Sequence, residues 1–273
     1  MAMLQFDFIQ RALMAGLAIS FITPILGLLL ILRRQSLMAD TLAHISLAGV
    51  ALGALLGIQP TWPTLLIVVL ASLIIEYLRI VFVDFSEISV AMMMATGMAF
   101  ALMLVGLNSN QGNFQIEQFL FGSIILVSEE GVRLLIALAV LVVLLYLIFR
   151  KPLYVISFDE ATAKTLGLPV RFISVCFSVL TGLAISVMMP IVGALLVSAL
   201  IVIPSATAIK ISRSFAQAIL VGVLINLLGI FAGISASFYW DTPPGASITM
   251  VFILIFALVS LSHRIFSKLN RRA

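Results

Sequence analysis

Residues 36–57 read SLMADTLAHISLAGVALGALLG, and the reading of this stretch decides the fold. It is long enough to span a bilayer as a helix, yet close to its start it carries Asp40 and His44. A carboxylate at the centre of a membrane helix costs roughly 2.5 to 3.5 kcal/mol on insertion scales, so something must offset it. Residues four apart share one helix face, which lets the Asp40 carboxylate and the His44 imidazole converge on one point. Together they offer a hard oxygen and a borderline nitrogen ligand, a combination suited to Zn²⁺ or Mn²⁺. The same spacing allows the two to pair with each other, or with a buried Thr or backbone carbonyl of a neighbouring helix, and the residues alone leave both readings open. Behind them Gly49, Gly53 and Gly57 form a small-residue stripe that lets another helix approach closely.

The rest of the chain is of the same character. With 63% hydrophobic and 10% charged side chains over 273 residues, it lies far outside the range of a soluble domain and reads as an integral membrane protein. Stretches long enough to span occur at 12–32, 37–57, 62–83, 88–107, 131–149, 171–189, 191–209, 215–238 and 247–263. A further apolar piece, 119–127, is too short to cross and reads as a re-entrant or interfacial segment. Pro24 and Pro190 are positions where a helix bends or breaks, and Pro204, near the end of its run, is expected to break its helix. The expectation is an all-α polytopic membrane protein with eight or nine transmembrane helices, organised as a single transmembrane domain over 1–273.

Charge gives the orientation. With the N-terminus outside, the cytoplasmic segments hold Arg33, Arg34, Arg79, Arg150, Lys151, Lys164, Arg171, Lys210, Arg213, Arg264, Lys268, Arg271 and Arg272, and of 15 basic residues only Arg11 and Arg133 fall outside. This positive-inside bias requires an odd number of crossings and a cytoplasmic C-terminus, and it accounts for the net charge of +4 without any nucleic-acid partner. The outer side collects Asp7, Glu117, Glu129, Glu130 and Asp241, either an acidic mouth that attracts cations or a solvated rim. The arginine pair Arg33 and Arg34 follows the first apolar run, the reverse of a secretory signal, so that run is expected to be a retained helix. Glu76 lies one turn before Arg79, spacing suited to a local ion pair. Cys176 stands alone, which excludes an intrachain disulfide, and reads as a small buried hydrophobe.

The longest expected cytoplasmic piece, 150–170, reads RKPLYVISFDEATAKTLGLPV. Over 157–166, Phe158, Ala161, Thr162 and Thr165 or Leu166 recur at helical spacing, with Asp159 and Glu160 at the start and Lys164 towards the end. Gly167 and Pro169 then stop the helix. Such a short amphipathic helix is either an interfacial loop or a docking knob for a soluble partner. The chain has no GxxxxGK[ST] phosphate loop, no HExxH and no GxSxG, and only two histidines, His263 reading as interfacial. Nothing assembles a nucleophile, a base and an oxyanion donor, so transport leads over enzyme chemistry.

These stretches resemble a known family. RRQSLMADTLAHISLAGVALG at 33–53 is similar to the signature of the metal-uptake permeases of ABC transporters (the ABC-3 family, zinc and manganese type). QFLFGS at 118–123, GALLVSALIVIPSATA at 193–208 and SFYWDTPPGAS at 237–247 agree with it in the family's order. The resemblance implies a permease in the cell membrane, paired with a second copy as a homodimer or with a related permease, driven by a cytoplasmic ATPase and fed by an extracytoplasmic metal-binding protein. It implies that the chain hydrolyses no ATP and binds no resident cofactor, and that Asp40 and His44 line the metal path, two such pairs supplying four ligands across a two-fold axis. FDEATAKTLGLPV resembles the coupling loop, which sets Phe158, Asp159, Glu160, Ala161, Leu166 and Gly167 against the ATPase. Asp241, in DTPPG, suits a turn as well as a ligand position at the outer mouth. Thr96 stands nearest to where some zinc permeases of this type carry a histidine, a departure that puts that contact in doubt. The whole looks most like zinc permeases of Gram-positive bacteria, with manganese or iron as the alternative cargo. A siderophore or cobalamin permease would leave Asp40 with His44 unexplained.

Overall fold

The computed structural model describes residues 6–82, 86–107, 122, 124 and 127–270, with the side chains of residue 86 and residues 263–270 excepted. The 118–123 stretch other than Gly122, the re-entrant segment expected at 119–127 apart from Gly122, Ile124 and Val127, Glu117 and the His263 side chain lie outside the described residues. The described residues form ten helices and no strand: α1 Asp7–Leu32, α2 Ser36–Leu56, α3 Thr61–Val81, α4 Ser86–Leu107, α5 Glu129–Phe158, α6 Glu160–Thr165, α7 Val170–Val192, α8 Ala194–Ile211, α9 Phe215–Trp240 and α10 Pro244–Asn270. Among the described residues, nine of these are long and apolar enough to cross a membrane, every one but α6.

α1 and α2 occupy the centre of the bundle and α4 and α10 its periphery. α1 packs against α5, α8 and α9, and α2 against α3, α4, α7 and α8. α1 is apolar all round because the face it does not bury in the bundle, Met14, Leu17 and Phe21, is exposed at a depth where the surroundings are lipid. Its hydroxyls satisfy themselves on their own backbone, Ser20 Oγ donating to Gly16 O at 2.7 Å and Thr23 Oγ1 to Ile19 O at 2.9 Å. Thr23 also accepts from Asn226 Nδ2 of α9 at 2.9 Å, a hydrogen bond that joins two helices where no water competes.

The glycine stripe works at two of its three positions. A Cβ on Gly49 would collide with the Thr64 backbone, and one on Gly53 would lie 2.7 Å from Pro60 Cα, so the start of α3 lies directly on α2. Gly57 does something else. It caps α2 at φ +66° with open space around it, ending the helix as only a residue free of Cβ strain does readily.

Several helices run further than the apolar stretches suggest. α5 has 30 residues, about 45 Å of helix, and continues through Pro152 to Phe158, so that 150–158 is helix and not the loop expected there. Leu153 and Ile156 are buried on this extension, and Tyr154 sets its ring edge-on to Phe215 at 5.5 Å, which ties it to the start of α9. Pro204 does not break its helix either: α8 continues to Ile211, with Thr207 Oγ1 donating to Ile203 O at 2.7 Å. Fully buried, Pro204 is held by the surrounding helices, the setting in which a membrane helix tolerates proline. Pro190 likewise lies inside α7, and the break before α8 falls at Gly193. Cys176, expected to be buried, is exposed on α7, beside a cavity of about 310 Å³ walled by apolar side chains of α1, α5 and α7.

Candidate metal site and coupling face

α2 presents one stripe that is open towards both ends and covered between them. Leu37, Asp40 and His44 towards its start, and Leu52 and Leu56 towards its end, remain partly or fully exposed and lie on one face, while Ala48 between the two parts is 1% exposed. Asp40 and His44 lie in the open part nearer the helix start. Their side chains are 35% and 12% exposed, and Asp40 Oδ1 lies 3.7 Å from His44 Nε2, too far for a hydrogen bond. His44 Nδ1 is buried and meets no hydrogen-bond partner. Two ligands about 2.1 Å from a tetrahedral cation stand about 3.4 Å apart, close to the separation of this oxygen and nitrogen. The pair is therefore brought together as expected from its spacing, side by side and not bonded. Among the described residues, no group of three or more His, Cys, Asp or Glu side chains stands close enough to hold a metal ion.

Asp241 is not part of that pair. It caps α9 in the left-handed conformation at φ +52° and is exposed. The turn around it is closed by Ser237 Oγ donating to Thr242 O at 2.6 Å and by the Thr242 and Ser247 hydroxyls 2.7 Å apart. Alternation of the long helices puts it at the end of the bundle away from the α1–α2 turn. Thr96 is exposed on α4 and donates to Met92 O of its own helix at 2.8 Å; the next residue, Gly97, is where α4 touches Ile45 of α2.

The segment expected to couple to an ATPase is a helix of six residues, Glu160–Thr165, shorter than the 157–166 expected, because Ser157 and Phe158 complete α5. Asp159 separates the two. Its Oδ1 accepts from the N–H groups of Ala161 and Thr162 at 2.9 and 3.0 Å, and its other oxygen from the Thr162 hydroxyl. The Thr162 hydroxyl first, then the N–H groups, hold the Asp159 carboxyl below its usual value. Gly167, at φ +76°, ends the helix, with Leu168 N–H donating to Ala163 O at 3.1 Å. The buried position is Ala163, not the Ala161 and Thr162 of the expected stripe, while Phe158 and Leu166 are 61% and 66% exposed.

Inboard of α6 lies a charge cluster of which the sequence showed half. Glu76, 1% exposed, accepts from Arg79 Nη2 at 2.7 Å, the expected local pair. It also accepts from Ser178 Oγ of α7 at 2.9 Å, and Arg79 Nη1 reaches on to Glu160 of α6 at 3.3 Å. Burial, the largest influence on Glu160, raises its pKa, but the Lys164 hydrogen bond at 3.0 Å and the charge of Arg79 outweigh it and hold Glu160 below the usual value. Arg33 lies nearby, its Nη2 donating to Ser174 Oγ at 2.5 Å and its guanidinium over the Phe177 ring at 5.1 Å. Burial, and then the charge of Arg79, push it down to about 10. Arg33, Arg34, Arg79, Lys164 and Arg171, with Glu87 and Glu160, line a cavity of about 920 Å³ beside α6. Only the Glu76–Arg79 spacing signalled this cluster; Ser174, Ser178 and Glu160 come from elements distant in sequence.

The pattern of the ABC 3 transport family matches residues 5–263. The chain is 32% identical over 236 residues to the manganese import system permease protein ScaB of Streptococcus parasanguinis, covering 85% of this chain and 83% of that one. It is 27% identical over 261 residues to the high-affinity zinc uptake system membrane protein ZnuB of Buchnera aphidicola subsp. Schizaphis graminum (strain Sg), covering 95% of this chain and 100% of that one. The solved structure of PsaBC from Streptococcus pneumoniae in complex with Fab superposes with a TM-score of 0.83 at 27% identity, over 94% of this chain and 92% of that one. An all-helical bundle of this topology, matched along nearly its whole length in pattern and in shape, belongs to the ABC 3 transport family.

Proposed function

We propose that this chain is the membrane permease subunit of an ATP-driven importer of divalent metal, with zinc as its cargo. The observation that carries the reading is the Asp40–His44 pair: an oxygen and a nitrogen 3.7 Å apart, the second imidazole nitrogen buried without a partner, on the stripe of α2 that its own chain leaves partly open. The two residues supply half of a tetrahedral ligand set, and a second copy of the chain facing the first across a two-fold axis supplies the rest. The chain sits in the cell membrane with its N-terminus outside and its C-terminus in the cytoplasm, as its basic residues favour. An extracytoplasmic metal-binding protein delivers the ion near Asp241. A cytoplasmic ATPase hydrolyses ATP and pushes on α6, where exposed Phe158 and Leu166 offer it apolar contact.

Manganese is the second reading, favoured by the ScaB relative and by Thr96, a hydroxyl where a zinc-preferring site would gain from an imidazole. The test is uptake of Zn²⁺, Mn²⁺ and Fe²⁺ into vesicles that hold the permease with its ATPase and binding protein. Zinc is expected to accumulate only with ATP and the ATPase subunit present. Accumulation of manganese alone would reassign the cargo; transport of a metal chelate and of no free ion would overturn the reading.

A further inference from the structure

We infer that Arg79 is a positioning residue that carries movement of the α6 coupling helix into the membrane core, as the middle member of a relay Glu160–Arg79–Glu76–Ser178. The geometry is specific. The Arg79 guanidinium uses one edge, Nε and Nη2, on Glu76 at 3.2 and 2.7 Å, and turns its remaining amino group, Nη1, to Glu160 at 3.3 Å. One planar cation thus holds two carboxylates from different elements, which a lysine, a point charge on a flexible stem, does not reproduce. Glu76 in turn is fixed by the Ser178 hydroxyl of α7 at 2.9 Å and is almost wholly buried, so displacement of Glu160 reaches two helices at once. Both of those helices, α3 and α7, pack against α2, which carries Asp40 and His44.

An alternative is that the cluster only satisfies charges. A purely local pair needs nothing beyond Glu76 and Arg79, since the two neutralise each other within one turn. The third partner is what makes the cluster a link: Glu160 already has Lys164 on its own helix at 3.0 Å, yet also contacts a cation 81 residues away in sequence. Apart from this bridge, the sides of α6 meet little else of the bundle, the helix resting on α5 and α7 through buried Ala163.

The inference rests on the reading of α6 as the place where the ATPase pushes, and the experiment separates the two. Whole transporters of permease, ATPase and binding protein in lipid vesicles are read for zinc moved per ATP hydrolysed. Glu160→Gln and Arg79→Gln are each expected to lower that ratio by about 3- to 30-fold, with the double variant no lower than either single one. Arg79→Lys should restore only part of it. Should Arg79→Gln fail to reach the membrane because Glu76 is left buried without its cation, Glu76→Gln with Arg79→Gln removes both charges, and the ratio is still expected to fall. Ratios that stay normal, or losses that multiply in the double variant, overturn the relay. If Phe158→Asp leaves the ATPase bound and stimulated as before, it is the reading of α6 that fails; if Phe158→Asp releases the ATPase while Glu160→Gln transports normally, only the relay does.

Discussion

At the scale of the residue, the unusual feature is a carboxylate and an imidazole one turn apart on a helix of membrane-spanning length, close enough to share an ion yet not bonded to each other. His44→Ala and Asp40→Ala should each lower uptake at least about tenfold, since even the loss of an outer partner of a ligand has an effect of that size. Membrane levels measured on the same samples exclude a folding defect; normal uptake at normal levels would remove this pair from the metal path. The pair was legible from the sequence because i,i+4 spacing on a helix fixes a shared face whatever surrounds it. The Asp241 alternative was not, since whether DTPPG serves as a turn or places a ligand depends on how the turn folds, and here the hydroxyls of Ser237, Thr242 and Ser247 close it on one another and on the Thr242 carbonyl.

At the scale of the element, contacts decide more than composition. Gly53 and Gly57 look alike in the sequence, yet one receives Pro60 of α3 and the other faces open space at positive φ. Gly53→Leu is therefore expected to force α3 away from α2 and to destabilise the protein by about 1 to 3 kcal/mol. Gly57→Ala costs only the left-handed strain, about 1 to 2 kcal/mol, with no displaced neighbour. Thermal melting in detergent ranks the two, and pairing each with a variant at Pro60 shows coupling for Gly53 alone. The same logic governs α6. Its cap depends on an ionised Asp159 whose pKa is lowered in the fold, so that contribution is present above the ordinary carboxylate value and is lost as pH falls through the lowered one. Asp159→Ala should speed amide exchange over 160–165 at neutral pH, and acid should lower the protection of the same amides in the unmodified chain relative to their intrinsic rates at that pH. The extents of α5 and α8 were misjudged from the sequence for a related reason: the apolar run of α5 ends at 149, but burial of Leu153 and Ile156 and the Tyr154 contact with Phe215 carry the helix on, and Pro204 signals a break only where nothing holds the helix in place, as packing within the core does here.

At the scale of the whole molecule, the bundle covers most of α2 and leaves one stripe of it open in two parts, on either side of buried Ala48, an arrangement no local pattern encodes, because it depends on where the neighbouring helices stop. Along that stripe Leu37, Leu52 and Leu56 flank Asp40 and His44, and two ligands, all that the described residues offer there, leave a tetrahedral ion half held. If the partner is a second copy meeting the first on a two-fold axis, equivalent residues of the two stripes face each other. With Cys176 replaced by serine, a cysteine placed at Leu37, Leu52 or Leu56 should then link two copies in the membrane at whichever position lies nearest the axis, where the Cα atoms come within about 7 Å. The linked dimer should bind one zinc per two chains, and His44→Ala in that background should abolish the binding without removing the link. Absence of a link at all three positions, in a protein that still imports zinc, would mean that water or a different subunit completes the ligand set, and that the open stripe faces something other than its own image.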